Sequence, residues 1–494
     1  MTMMRLPFMY GFVNDRWSRC LDVMLEKKEG VRQIHQLRII GLVEADFNTA
    51  LKIFFAKQMV ANSERTTLTE EQWGGRPGRT ATDAAMRKML AFEYGRVLYV
   101  TIALFANDAV ACFDRMVPNI STLLALKYGV QPNVMRSRNA VMSKMTHGVR
   151  TKHGDSTSTY CQLKDEPQVA GETQGKGDVA CIWSLLSHTL LRAHSEIHEG
   201  ISLNSADGKR KIEKNNDAFV DDCDGVASKR RCTARKSEDA TRRHLQDGAQ
   251  LWADLINATG GAIAFHKSGW QMLAFNDSSF PPTVKKQPSE DIWLQDAFGC
   301  KTKIKKMSSS TPNKGLGCRQ AVDGNMTEEY AFRLQQSRQF ASRLLSARLT
   351  MREATSMLTS RILPRITYSM PVTTFSPDQC RRLNTAIDQV MLNKLNVHRN
   401  MPKAVLYSPL KWGGLNYPSF QVIQDQKGLL YMLQQLRWNG TVANDMLVVL
   451  SGVQLMSGMV TPIFENTDVK LDYIPHGWFV HQHGRLREME ATMW

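Results

Sequence analysis

The residues of this chain best suited to chemistry are two acidic positions at the ends of apolar runs. Asp108 follows Val97 to Ala106 (VLYVTIALFA) and Asn107, and the adjacent pair Asp221-Asp222 follows Ala218-Phe219-Val220. Carboxylates presented at strand ends bind hard divalent cations, and Mg²⁺ is usually held by one or two carboxylates together with substrate phosphates. That donor set suits two-metal phosphoryl transfer. An Asp-Asp pair alone is common, so the weight falls on what surrounds it. His194 and His198, four apart on a predicted helix, lack a third ligand of matching spacing and read as packing residues.

Presenting such acids requires strands that stop where the carboxylates begin. Val97 to Ala106 is a nearly continuous β-branched and aromatic run, the pattern of a strand covered on both faces. Ala218 to Val226 predicts a second strand whose tight turn presents Asp221-Asp222. Pro118-Asn119 opens a helix that stops at Gly129. Val149 to Leu163 predicts a hairpin turning through His153-Gly154-Asp155, Ile182 to Ile197 a helix, and Ser237 to Thr259 a helix ended by Gly260-Gly261. Lys301 to Lys314 (KTKIKKMSSSTPNK) reads as an exposed connector. Beyond Met326 the periodicity is almost wholly helical. Charged runs at Glu26–Glu29, Lys209–Lys214 and Lys229–Lys236 read as solvated loops.

Composition bounds the class. The 494 residues are 43% hydrophobic and carry 63 Lys+Arg against 47 Asp+Glu, a formal charge of +16. These values exclude a disordered tail, a collagen-like fibre and a disulfide miniprotein, and leave room for about three structural units. The longest apolar stretch, Met446 to Val460, is interrupted by Ser451, Gly452, Gln454, Ser457 and Gly458, too polar for a membrane span of roughly 20 apolar residues. No secretory signal is evident. Nine scattered cysteines without a C-x-x-C pair fit a reducing compartment. An intracellular protein of the nucleus or cytoplasm follows, with no membrane partner. The basic excess predicts attraction to nucleic acid through counterion release.

Against this background, several motifs together resemble the reverse transcriptases of retroelements, particularly the non-LTR class. Phe219-Val220-Asp221-Asp222 resembles the aromatic-x-Asp-Asp box, and Asp108-Ala-Val-Ala-Cys-Phe113-Asp114 the first palm motif. Gln174-Gly175 resembles the box between them. Gly75-Arg76-Pro77-Gly78-Arg79-Thr80-Ala81-Thr82-Asp83 resembles the preceding fingers sequence, and Gly260-Gly261 to Lys267-Ser268 the motif that follows the acidic pair. Leu316-Gly317 and Pro402-Lys403-Ala404-Val405 to Gly413-Gly414-Leu415 resemble patterns near the primer grip and thumb. Five boxes stand in family order.

The resemblance implies an RNA-directed DNA polymerase using two Mg²⁺ ions, with Mn²⁺ as the alternative. It assigns Asp108, Asp221 and Asp222 to the metals, Lys267 to protonation of the leaving pyrophosphate, and Arg76 and Arg79 to triphosphate oxygens. It makes Phe113 a sugar gate and sets Gln174 and Gly175 beneath the nascent base pair; Asp114 is structural. The family's usual Cys-Pro-Leu-Ser-Pro is replaced here by Lys176-Gly177-Asp178-Val179-Ala180, and Ala264 stands where many relatives carry Asn. The implied partners are an RNA template, a DNA primer and deoxynucleoside triphosphates.

The implied fold is α+β, a right-hand polymerase with an antiparallel palm sheet flanked by helices. Its expected parts are an N-terminal helical extension (1–29), fingers and palm (30–320), a helical thumb (321–435) and a C-terminal helical segment (436–494). Nothing resembling an endonuclease precedes the fingers and no RNase H acid set follows the thumb, so the chain reads as the polymerase portion of a retroelement. Two rivals remain: a degenerate relative that binds nucleic acid without polymerising, and a two-metal nuclease or transposase. A group II intron-type protein is a near relative within the same class.

Overall fold

The computed structural model describes residues 2–493, apart from 28, 29, 31, 32, 34–36, 67, 111, 162–170, 173, 232 and 277. In chain order the first part comprises α1 (Thr2–Tyr10), β1 (Arg19–Glu26), β2 (Leu37–Val43), α2 (Ala45–Leu51), α3 (Val60–Thr66) and α4 (Ala81–Leu98). β3 (Ile102–Asp108), α5 (Pro118–Lys127), α6 (Pro132–Ser143), β4 (Thr146–Thr151), β5 (Gly154–Cys161) and α7 (Val179–Ile197) follow. Then come β6 (Ile201–Asn204), β7 (Lys211–Lys214), β8 (Asn216–Phe219), β9 (Asp222–Ala227), α8 (Ala234–Ala258) and β10 (Gly269–Leu273). After a stretch of two- and three-residue strands, helices α9 (Thr327–Ser346), α10 (Met351–Met357), α11 (Leu363–Ile366), α12 (Pro377–Lys394), α13 (Lys403–Tyr407), α14 (Phe420–Trp438), α15 (Thr441–Ser457) and α16 (Trp478–Glu488) complete the chain. The fold is mixed α/β.

A five-stranded sheet is ordered Lys305–Lys306, β10, β3, β9, β8. Its centre, β3, is antiparallel to both β10 and β9. Side chains alternate across a strand, so Ala103 and Phe105 enter one core with Trp252 of α8 and Leu185 of α7. Ile102 and Leu104 enter a second core with Leu90 of α4 and Met446 of α15. The sheet is therefore a wall between two cores. A second sheet, ordered β2-β1-β4-β5, is antiparallel except for the parallel pair β1 and β4. Helices α9 to α14 enclose a third core around Phe375, Leu383 and Phe420.

Helix α4 starts on a reciprocal cap between Thr80 and Asp83 and is buried along nearly its whole length. Burying its charges is tolerable because each is answered. Arg87 pairs with Asp217 of β8 and Asp445 of α15, both at 2.7 Å. Glu93 accepts the backbone N–H groups of Trp478 and Phe479 at the start of α16 at 2.7 and 3.1 Å. Asp83 accepts Tyr431 Oη–H and Gln435 Nε2–H from α14 at 2.6 and 3.0 Å.

Several expectations need correcting. The Val97–Ala106 run is divided: Val97 and Leu98 finish α4, Tyr99 turns the chain with φ +54°, and the strand runs from Ile102 to Asp108. An apolar run buried on all sides does not distinguish helix from strand by periodicity. Lys301–Lys314 is no connector, since Lys305-Lys306 pairs in parallel with Gly269-Trp270. The N-terminal piece is not wholly helical: after α1 and a short 3-10 turn at Asp15–Ser18 it contributes β1 to the second sheet. Helices α15 and α16 pack directly against α4.

Among the charged runs, Glu26 ends β1, residues 28 and 29 lie outside the described residues, and Lys211–Lys214 form β7, whose Lys214 is buried against Asp217. Lys229–Lys236 leads into α8, with Cys232 outside the described residues. The hairpin expected over Val149–Leu163 forms from Thr146 to Cys161; 162 and 163 lie outside the described residues. The eight described cysteines are free thiols. Among the described residues no helix is long and apolar enough to cross a membrane.

Candidate active site

The acids meet where β3 ends. In the β3–β9 register Asp108 lies opposite Asp222, and in the β8–β9 hairpin Phe219 lies opposite Asp222. This leaves Val220 and Asp221 as a two-residue turn. Val220 has φ +59°, a conformation that costs a β-branched residue about 1–2 kcal/mol. Surrounding groups impose it. Gln72 Oε1 accepts the Val220 N–H at 3.2 Å and the Gly74 N–H at 2.9 Å, while Gln72 Nε2 donates to Ser187 Oγ at 2.6 Å. Trp183 Nε1–H donates to the Val220 carbonyl at 2.6 Å. The backbone adds Trp73 N–H to Ala218 O at 2.7 Å and Ala218 N–H to Glu71 O at 2.8 Å. A Cβ on Gly74 would lie 2.4 Å from Val220 N, so the loop before α4 is pressed against the acidic turn.

Charge crowding follows. Burial, then the like charge of Asp108, pushes the Asp221 carboxyl upward. Burial, then Asp221, Asp108 and Asp224, pushes Asp222 up to about 6. Ala264 N–H bonds Asp108 O at 2.9 Å and Val110 N–H bonds Ala262 O at 2.8 Å. That pairing carries the 262–268 segment alongside the end of β3 and sets Lys267 Nζ 3.3 Å from Asp108 Oδ2. Exposed Arg38 of β2 also lowers the Asp221 pKa through its charge. Three hard carboxylate donors, of which Asp221 and Asp222 are pushed upward by burial and by their like-charged neighbours, fit a divalent cation. Their oxygens are nonetheless not drawn into one tight set, as like charges with a lysine beside Asp108 would dictate. Among the described residues, the trio with ligand atoms all within 4.8 Å of one another is Cys20, Asp22 and His147.

The remaining expected residues are placed less simply. Arg76 is buried, its guanidinium paired with both Glu64 carboxylate oxygens at 2.8 and 2.6 Å and bonded to the carbonyls of Thr69 and Gln72. Arg79 pairs with Glu70 at 2.8 Å and lies 4.8 Å from the Trp73 ring centre. Both arginines thus brace the loop that holds the Val220 turn. Phe113 is half-buried and meets Trp183 edge-on at 6.2 Å. Gln174 O accepts the Gly41 N–H of β2 at 2.7 Å. Gly175 has φ +115°, and a Cβ there would lie 2.6 Å from Gly41 O, so only glycine fits that crossing.

The departure after Gln174-Gly175 has a physical account. Lys176 pairs with Glu172 at 2.5 Å, and Arg138 bridges Glu172 and Asp178, each at 2.6 Å. Buried ion pairs anchor both flanks of the loop. Gln72, Trp183, Arg138 and Arg38 carry no local sequence signal for these tasks; the adjacency of Gln72 to the Arg76 loop is the nearest available hint.

No family model matches the sequence, and no curated protein matches it. Among solved structures, a Candida tropicalis telomerase truncated from its C-terminal domain is similar with a TM-score of 0.36 and 10% identity, over 56% of this chain. The match covers 53% of that chain, about half its length.

Proposed function

We propose that this chain is a template-directed nucleotidyltransferase, an RNA-directed DNA polymerase of non-LTR retroelement type. The carrying observation is the pairing of Asp108 with Asp222 across β3 and β9, with Asp221 in the braced turn and Lys267 beside Asp108. Support also comes from the five sequence boxes standing in family order.

In this reading Asp108, Asp221 and Asp222 would hold Mg²⁺, which would acidify the primer 3′-hydroxyl and neutralise phosphate charge. The Val220 turn fixes where the carboxylates stand, and Gln72 and Trp183 fix the turn. Lys267, more than half exposed, gives a proton from its ammonium to the leaving pyrophosphate and is left as the neutral amine. Arg38 faces the same electrostatic field and receives triphosphate oxygens, because Arg76 and Arg79 are engaged by Glu64 and Glu70. Gln174 and Gly175 lie beneath the nascent base pair, and Phe113 excludes the 2′-hydroxyl. The +16 charge attracts the RNA template and DNA primer.

The engagement of Arg76 and Arg79 also favours a second reading, a relative that binds nucleic acid without extending it. Primer extension on an RNA template with deoxynucleotides and Mg²⁺ separates the two. Wild type should extend, and a folded Asp221→Ala/Asp222→Ala variant should bind the duplex but not extend it. Salt-sensitive binding by wild type without extension would establish the second reading.

A further inference from the structure

The second sheet builds a different constellation, independent of the polymerase reading. In the parallel β1–β4 register Cys20 lies opposite His147, and in the β4–β5 register His147 lies opposite Tyr160. Asp22, two residues beyond Cys20, shares that face of the sheet. Cys20 Sγ is 3.5 Å from Asp22 Oδ1, His147 Nδ1 is 3.0 Å from Asp22 Oδ2, and Tyr160 Oη–H bonds the same Oδ2. Asp22 is only 1% exposed, and among the described residues its side-chain hydrogen-bond partners are Cys20, His147 and Tyr160.

We propose that Cys20, Asp22 and His147 form a structural zinc site that ties β1 to β4, with Tyr160 or water at the fourth position. Thiolate, imidazole and carboxylate together are a borderline-soft donor set that prefers zinc to magnesium. The spacing agrees with this. Zinc–sulfur bonds of ~2.3 Å and zinc–oxygen bonds of ~2.0–2.2 Å at a tetrahedral angle set sulfur and oxygen roughly 3.5 Å apart, the separation found between Cys20 and Asp22. All three donors belong to regular strands, so the register itself brings them together. Zinc binding would displace the Cys20 thiol proton.

The site has a consequence for the acidic turn's surroundings. Asp22 lies opposite Gly41 in the β1–β2 register, and Gly41 N–H holds the Gln174 carbonyl. Stapling β1 to β4 therefore stiffens the strand pair against which the Gln174-Gly175 loop rests.

Cobalt(II) titration of the full chain, stripped of metal and reduced, tests the assignment. One equivalent should produce a thiolate-to-cobalt charge-transfer band with the intense visible bands of four-coordination, and zinc should abolish both. Cys20→Ser should lose the charge-transfer band and weaken binding at least about 100-fold, more than loss of an outer-shell partner does. Cys161→Ser should keep the band, because Cys161 follows Tyr160 on β5 and points to the opposite face. If Cys20→Ser does not fold, His147→Gln decides: it should retain the thiolate band but weaken binding by a comparable factor. Absence of the band in wild type, its persistence in Cys20→Ser, its loss in Cys161→Ser or unchanged affinity in His147→Gln would each overturn the proposal.

Discussion

Val220 is the residue on which the acidic turn depends, since a β-branched side chain at φ +59° persists only where neighbours enforce it. Gly74→Ala should drive a Cβ into the Val220 backbone, which has no flexible end to yield. A destabilisation of about 1–3 kcal/mol follows, read as a lower urea midpoint at unchanged slope. Trp183→Phe keeps the packing on Phe113 but leaves the Val220 carbonyl without its donor, costing about 1–3 kcal/mol. Both variants should lose more primer extension than duplex affinity; equal losses would show that the brace does not position the acids. Asp108, Asp221 and Asp222 were legible because their apolar approach runs and short polar ends are local features. Gln72 and Trp183 were not, because they act on Val220 from 148 and 37 residues away. Arg76 was legible as a loop arginine, but not as one that Glu64 consumes.

At the scale of elements, helices that carry one apolar face were readable to within a few residues, as α5, α7 and α8 illustrate. Elements buried on every side were not: the end of α4 and the start of β3 share one apolar vocabulary. Pairing partners also escape local reading, which is why Lys305-Lys306 passed for a linker while being an edge strand. The seam between α7 and α8 carries a testable consequence. His194 of α7 meets His198, the residue that caps the helix, with ring centres 5.3 Å apart, and His198 stacks on His244 of α8 at 4.1 Å. Burial holds His194 and His244 down to about 4 and also lowers His198. Lys229 adds repulsion to His198 and His244, Asp247 offsets part of it, and Glu199 O accepts from His244 Nε2. Each folded-state pKa lies below the unfolded value near 6.5, so the unfolded chain binds protons first. Stability from the seam is fully present above about pH 6.5 and drains as pH falls toward 4. Between pH 7 and pH 5 the Tm of wild type should fall by more than that of His194→Gln, which removes one of the titrating rings. Parallel Tm–pH curves would show that the seam does not titrate on unfolding.

Over the whole molecule, α4 is the axis on which the sheet and the C-terminal helices meet. Its buried Arg87 spans Asp217 on β8 and Asp445 on α15, while its Glu93 caps the start of α16. The residues beyond 435 therefore complete the core behind the acidic sheet, with Val449 and Val453 of α15 and Trp478 of α16 packed beside Leu90 and Leu104. Hydrophobic burial of this kind is worth about 1.5–3 kcal/mol per large side chain, more than the small net stability of a domain can lose several times over. Arg87→Ala should cost about 3–5 kcal/mol, since it strands two buried carboxylates with only Lys214 left to answer Asp217. Arg87→Met with Asp445→Leu, which removes the charge on α15 as well, should recover much of that loss. A chain ended at Asn439 uncovers the α4 face that α15 and α16 protect and removes the Asp445 partner of Arg87 and the α16 N–H partners of Glu93, so it should aggregate or bind a hydrophobic dye while remaining partly helical. A soluble 2–439 fragment with the urea midpoint of the full chain would mean that the two C-terminal helices are an appendage and that α4 is held by the sheet alone.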